Sequence, residues 1–246
     1  MKSGSLLLAV TVAGCGLVNS NSLSYEYAFD AQQFMQKLGD EKPPTPTVPM
    51  MNCDPTTSPD PCLALQSQLP SSAARLTCDV ATRSCVAFVE VRLPYPVDLS
   101  QQNLPAPVVQ YGIDKVTIEK VAYWVMTNTV NVAIPPIDLF VASSAAKDER
   151  DPSAKQIGSV AMLPARSAAC ADSADSKSDP MANGAAVCDI KLSDAGQAAM
   201  ATFIKDYKTP FQLIAHTKLV ARAGDPLPVG TIDFFVRPTV SFSILK

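Results

Sequence analysis

Val86-Ala87-Phe88-Val89-Glu90-Val91-Arg92-Leu93 is the stretch that sets the fold class. Ala87, Val89, Val91 and Leu93 alternate with Phe88, Glu90 and Arg92, and a period of two marks a half-buried strand. The same period returns downstream. Val116 and Ile118 alternate, then Val121, Tyr123 and Val125 do so on the opposite parity, which predicts a bulge or tight turn at Glu119-Lys120. Val130, Val132 and Ile134 follow, Pro135-Pro136 interrupts, and Ile137, Leu139 and Val141 resume. Ile157 to Met162 and Val187 to Leu192 read as short strands. So do Phe211, Leu213 and Ala215; Ile232, Phe234 and Val236; and Val240, Phe242 and Ile244. Many short strands with turn signals between them, such as Gly224-Asp225-Pro226, predict a mainly β domain over residues 86–246, a sandwich or a barrel. One helix interrupts it. Ser193 can cap it, Asp194 suits its first turn, and Ala199, Met200, Phe203, Ile204 and Tyr207 fall at helical spacing. Lys205 and Lys208 suit its last turn, before Thr209-Pro210 stops it. Tyr123 and Trp124 are neighbours on a strand and must point to opposite faces, one to the core and one outward.

The chain ahead of Val86 has a different character. Residues 63–85 form a cysteine-containing segment too short for a core of its own, expected to pack on the main domain. Residues 41–62 hold seven prolines in 22 positions, which predicts an extended, semi-rigid spacer. Before it, Phe34, Leu38 and either Ala31 or Met35 share a helical face, and Gly39 is a natural stop, so a short helix is expected over 31–39. Residues 15–62 thus read as a tether and Pro-rich linker.

The first residues give an address. Met1-Lys2 is a short basic start, and Leu6 to Val12 is an apolar run followed by the small residues Ala13 and Gly14, the pattern of a secretory signal. The apolar stretch is too short to span a bilayer as a helix, which takes about 20 residues. Val12-Ala13-Gly14-Cys15 resembles the bacterial lipobox. The resemblance implies that residues 1–14 are removed and that Cys15 receives a diacylglycerol thioether and an acylated amino group. An anchor of two or more chains holds stably. Glycine rather than aspartate at position 16 implies the outer membrane rather than the inner, on its periplasmic side or at the cell surface.

Cysteine usage agrees with export. Seven cysteines less Cys15 leave six, namely Cys53, Cys62, Cys78, Cys85, Cys170 and Cys188, an even set suited to a disulfide framework. Four early and two late favour Cys170–Cys188 as one bridge. Among the early four, Cys78 and Cys85 can face each other across a hairpin near Ala81-Thr82, or pair in a nested fashion with Cys53 and Cys62. The gaps do not match the tight pairs of a structural zinc site.

From about Gly112 to Phe242 the layout is similar to the late-embryogenesis-abundant type-two family, the water-hypersensitivity domain. Val116 to Tyr123 is similar to its opening strand, Thr127 to Pro135 to its asparagine-centred segment, Ile157 to Val160 to the next strand, and Pro226 to Gly230 to its closing hairpin. The resemblance implies an immunoglobulin-like antiparallel β-sandwich of about seven strands and a non-enzymatic, stress- or desiccation-protective role. Asn128-Thr129-Val130-Asn131 lacks the family's usual proline, and the insertion at 143–189 is a further departure.

Chemistry is sparse in the sequence. The one histidine, His216, alternates with Gln212 and Lys218 on the polar side of its strand, and no nucleophile elbow accompanies it. Asp172, Asp175 and Asp179, between Cys170 and Cys188, are the calcium candidates, and Asp148-Glu149-Arg150-Asp151 lies in the preceding loop. Neither has the spacing of an EF-hand. A net charge of −3 with no basic run argues against a nucleic-acid partner. The expectation is a non-catalytic, lipid-anchored envelope protein without a cofactor, a structural or interaction module with an envelope protein partner. A stress-protective domain, or a glycan- or calcium-binding protein or hydrolase using the 143–189 carboxylates, are the alternatives.

Overall fold

A computed structural model describes residues 22–40, 45–54, 56, 60–69, 74–169 and 185–245. The fold is a β-sandwich of two antiparallel sheets. One sheet holds β3 (Ala74–Cys78), β4 (Cys85–Val97), β10 (Phe211–Ala221), β6 (Ile137–Ser143), β7 (Lys155–Val160) and β9 (Lys191–Leu192), in that order. The other runs β1 (Ser22–Ala28), β11 (Gly230–Leu245), β5 (Lys115–Asn128), β8 (Cys188–Asp189), with β2 (Gln32–Gly39) also on β11. The apolar parity of each strand turns inward. Val89 and Val91 of β4, Leu139 and Val141 of β6 and Leu213 and Leu219 of β10 face Tyr123 and Val125 of β5 and Phe234, Val236 and Phe242 of β11 in one core. Burying each such side chain contributes about 1.5–3 kcal/mol.

The parity break at Glu119-Lys120 is a bulge. Thr239 pairs with Lys120 and Val240 with Ile118, which leaves Glu119 unmatched. A second extra residue, Met126, sits between the partners of Asp233 and Phe234. Helix α2 (Asp194–Lys205) has the expected cap, with Ser193 Oγ accepting from Gly196 N at 3.0 Å. Met200 and Ile204 are its buried face. Gly196 lies so close to β7 that a Cβ there would stand 2.4 Å from the Ile157 carbonyl oxygen. A shorter helix, α1 (Ala106–Tyr111), which the sequence reading did not anticipate, follows β4.

Several expectations change. The helix over 31–39 is the strand β2, whose alternate residues Phe34 and Leu38 enter the core. Phe34 and Leu38 are four apart, a spacing that a strand of even parity satisfies as well as a helix does. With β1, this strand lines one edge of β11: β1 pairs with 239–245 and β2 with 230–236. The edge breaks at Phe29 to Ala31, beside Pro238, which has no N–H to give. Residues 22–39 are therefore part of the domain, not a tether. The described residues of the Pro-rich stretch are no free spacer either. Val48, Cys53 and Cys62 are buried with Leu76, Ala87, Ala221 and Leu227 in a second, smaller core. Val130 to Ile134 is a connection rather than a strand. Asn128 donates to the Pro164 and Ser167 carbonyls and accepts from Val130 N, and Asn131 exchanges hydrogen bonds with Leu227 and Val229. These side chains offer the backbone an alternative to a ladder. Val187 to Leu192 crosses between the sheets, pairing first with β5 and then with β7. The last two expected strands are the single strand β11.

The sandwich has two distinct ends. At one, β1 enters and β11 ends, β5 begins and β10 begins beside Val97 and Ser143. At the other lie the β3–β4 turn, a strap formed by residues 45–54 and 60–62, and the turn at Gly224.

Candidate functional site

Two disulfides tie the second end. Cys53 bonds Cys78 and Cys62 bonds Cys85. Cys78 and Cys85 do face each other across the hairpin, as register partners, but each reaches to the strap instead. The pairing is thus interlaced, neither the direct bridge nor the nested set. The sulfurs of Cys53, Cys62 and Cys78 lie within 4.8 Å of one another, but each belongs to a disulfide, and a bonded sulfur is no thiolate ligand. Asp60 and Gln66, which the sequence did not single out, brace the strap. The Asp60 carboxylate accepts from Cys62 N, Thr77 Oγ1 and Cys78 N, each at 2.9 Å. The Cys78 N–H contributes most to holding its carboxyl below the usual range, against the opposing effect of burial, with Cys62 and Thr77 adding to it. Gln66 spans the backbone of β3, donating to the Ala74 carbonyl and accepting from Leu76 N. Cys188 is also disulfide-bonded. Its expected partner Cys170, the lipidation candidate Cys15, and Asp172, Asp175 and Asp179 lie outside the described residues.

Among the described residues, Glu90, Glu149 and His216 gather with Arg92 on the outer face of the six-stranded sheet. Register places Lys191, Ser159, Asp138, His216 and Arg92 in one row across β9, β7, β6, β10 and β4. Side chains in such a row share a face. The order matters. Ser159 Oγ donates to Asp138 at 2.6 Å, so the carboxylate stands between the serine and the histidine. Hydrolysis by a serine triad needs the imidazole in the middle.

The loop between β6 and β7, residues 144–154, folds back over this face. Ala146 is buried with Ala142 and Ile214, and Gln212 Nε2 donates to the Ser144 carbonyl at 2.8 Å. Asp148 and Asp151 shape the loop's own turns, accepting from Arg150 N and from Ser153. Its remaining charges reach the sheet. Arg92 Nε donates to Glu149 at 2.9 Å, Arg92 Nη2 makes an ion pair with Glu90, and Arg150 Nη2 reaches Glu90 at 3.3 Å. His216 Nε2 lies 3.6 Å from Glu90 and 3.8 Å from Glu149, outside good hydrogen-bond distance. His216 is on the polar parity as expected, but its side chain is only 20% exposed because the loop covers it.

Electrostatics decide what this cluster can do. Burial pushes the Glu90 carboxyl up, but the Arg92 guanidinium, with Arg150 and His216 behind it, outweighs burial and holds it below its ordinary range. Burial likewise pulls Arg92 down, and Glu149 and Glu90 together more than restore it. Glu90, held below its ordinary range, does not suit the role of the protonated member in a glycosidase carboxylate pair. Glu90, Glu149 and His216 present ligand atoms within 4.8 Å of one another, as a cation site would. Arg92 already supplies the positive charge between both carboxylates. Two glutamates and two arginines balance, and the arrangement is an ion-pair network that docks the loop.

Trp124 does point away from Tyr123, yet it too is buried, at 1% exposure. It stacks on Phe235 at 5.5 Å and 4° and packs near Ala31, Ala185 and Val187. Its indole N–H has no acceptor among the described residues.

No known protein family matches the chain, and no curated protein is similar to it. Among solved structures, a chain of the giant freshwater prawn Macrobrachium rosenbergii nodavirus semi-empty virus-like particle is 8% identical, covering 100% of this chain and 95% of that one, with a TM-score of 0.24. A likeness at that level carries no argument. No helix among the described residues is long and apolar enough to cross a membrane.

Proposed function

We propose that this chain is an exported lipoprotein, held in the outer membrane through Cys15, whose β-sandwich serves as a non-catalytic structural or interaction module for an envelope protein partner. The observation that carries the reading is the pair of bridges Cys53–Cys78 and Cys62–Cys85 behind an export signal ending in the lipobox-like Val12-Ala13-Gly14-Cys15. Such bridges persist in oxidising compartments. Exposed apolar side chains at the disulfide-tied end support an interaction role. Met50 is 86% exposed and Val80 75%, on the strap and the β3–β4 turn that the two bridges and Asp60 hold in place, and Val220, near the end of β10, is 56% exposed. A rigid presentation of apolar residues lowers the ordering cost of binding.

The test is crosslinking in the native envelope followed by isolation of the full-length chain. The expected product is a defined heteromeric band that weakens when Met50 and Val80 are changed to serine. Isolation of the chain alone, under conditions where a known envelope complex is captured, contradicts the interaction role.

A further inference from the structure

Resting on the lipidation reading, we infer that the end of the sandwich opposite the disulfides lies against the bilayer surface, and that the connection between β4 and β5 is its lipid-contacting face. The first argument is length. Only residues 16–21 separate Cys15 from the start of β1 at Ser22. Six residues reach at most about 20 Å when fully extended. Ser22 pairs with Leu245 and Ser24 with Ser243, and Ser243 pairs with Lys115 at the start of β5. The anchor therefore holds this end near the membrane. The disulfide end is a strand length away: β5 has 14 residues, roughly 45 Å at 3.3 Å each.

The second argument is the surface found there. The connection from β4 to β5 crosses the end of the sandwich, and Asp114 N donates to the Ser243 carbonyl at 2.8 Å. Leu99 and Val108 turn inward and close the core. Val109 and Tyr111 turn outward, 60% and 55% exposed. From Leu99 to Ile113, fifteen residues carry no charge, in a chain that is 17% charged. An uncharged surface bearing an exposed valine and tyrosine suits the bilayer interface, where tyrosine keeps its ring in the apolar layer and its hydroxyl in water. The contact need not be strong. A short tether raises its effective concentration to the millimolar range.

The experiment uses the full-length lipidated protein in vesicles of phosphatidylethanolamine and phosphatidylglycerol, with and without brominated acyl chains. The only native tryptophan, Trp124, is buried and lies nine residues along β5 from Lys115, so it provides a protected baseline. Tyr111→Trp adds a reporter at the proposed face, Val109→Trp a second should the first fail to fold, and Val80→Trp a reporter at the other end. The expected result is quenching of most of the emission added at position 111 or 109, and none of that added at position 80. Vesicle-bound protein with no quenching at 111 and 109, or with equal quenching at 80, overturns the orientation and leaves lipidation standing. Protein that does not float with the vesicles and carries an unmodified Cys15 overturns both.

Discussion

Removing the Glu149 carboxylate should release the 144–154 loop from the sheet and destabilise the domain. Glu149 is 11% exposed and bonds Arg92, itself 24% exposed, through Nε. Removing one partner of a fully buried ion pair costs about 3–5 kcal/mol, because the other charge is left uncompensated. Here Glu90 still faces Arg92 and water reaches part of the pair, so about 2 kcal/mol is the expected loss for Glu149→Ala. For a domain of this size that lowers Tm by about 4–8 °C. Replacing Arg92 by methionine as well should recover part of the loss, since no charge is then stranded on that side. A thermal melt of the three variants gives the coupling, which for directly bonded partners is about 0.5–3 kcal/mol. Amide exchange of residues 144–154 should quicken in Glu149→Ala while the inner strands keep their protection. An unchanged melt, or additive effects of the two substitutions, refutes the docking role of the network.

Other outcomes follow from the same geometry. Gly196→Ala should lower stability by about 1–3 kcal/mol in chemical denaturation, because its Cβ meets the Ile157 backbone and α2 must lift from β7. Asp60→Asn should cost about 1 kcal/mol at neutral pH. The folded pKa of Asp60 is depressed, so its contribution is complete above the ordinary carboxylate value of about 3.9 and is lost as pH falls through the lower folded value; denaturation curves of wild type and variant should converge in acid. Paired replacement of Cys53 and Cys78 by serine should cost about 3.5 kcal/mol, the chain-entropy value for a loop closing residues 25 apart. Limited proteolysis of that variant should cut first within the strap.

Where side-chain period and burial agree, the fold was legible. The alternation of Val89 and Val91, the parity break at Glu119 and the Ser193 cap all reflect local rules with one outcome. Residues 31–39 were misread because Phe34 and Leu38 satisfy two periods, and only the long-range partner β11 decides between them. The prolines of 41–62 exclude regular helix and sheet over 45–54 but are silent on whether that chain is free or, as here, pinned by two bridges, and Pro61 opens a short 3-10 helix that Asp60 caps. The ion-pair network was not legible at all. Glu90, Arg92 and His216 were each placed on a polar face, but their meeting with Glu149 depends on a loop folding back across three strands. Strand alternation sends Tyr123 and Trp124 to opposite faces but does not say which is which, and the cover over Trp124 supplied by Val187 and Ala185 comes from residues about 60 positions away in sequence, beyond any local signal.

The most direct test of the account is the intact and peptide mass of the native protein from fractionated membranes. The account predicts a chain beginning at Cys15, carrying a diacylglycerol and an N-acyl group, in the outer-membrane fraction, with Cys53 linked to Cys78 and Cys62 to Cys85. A chain retaining Met1, with an unmodified Cys15 and free thiols in the soluble fraction, would contradict it.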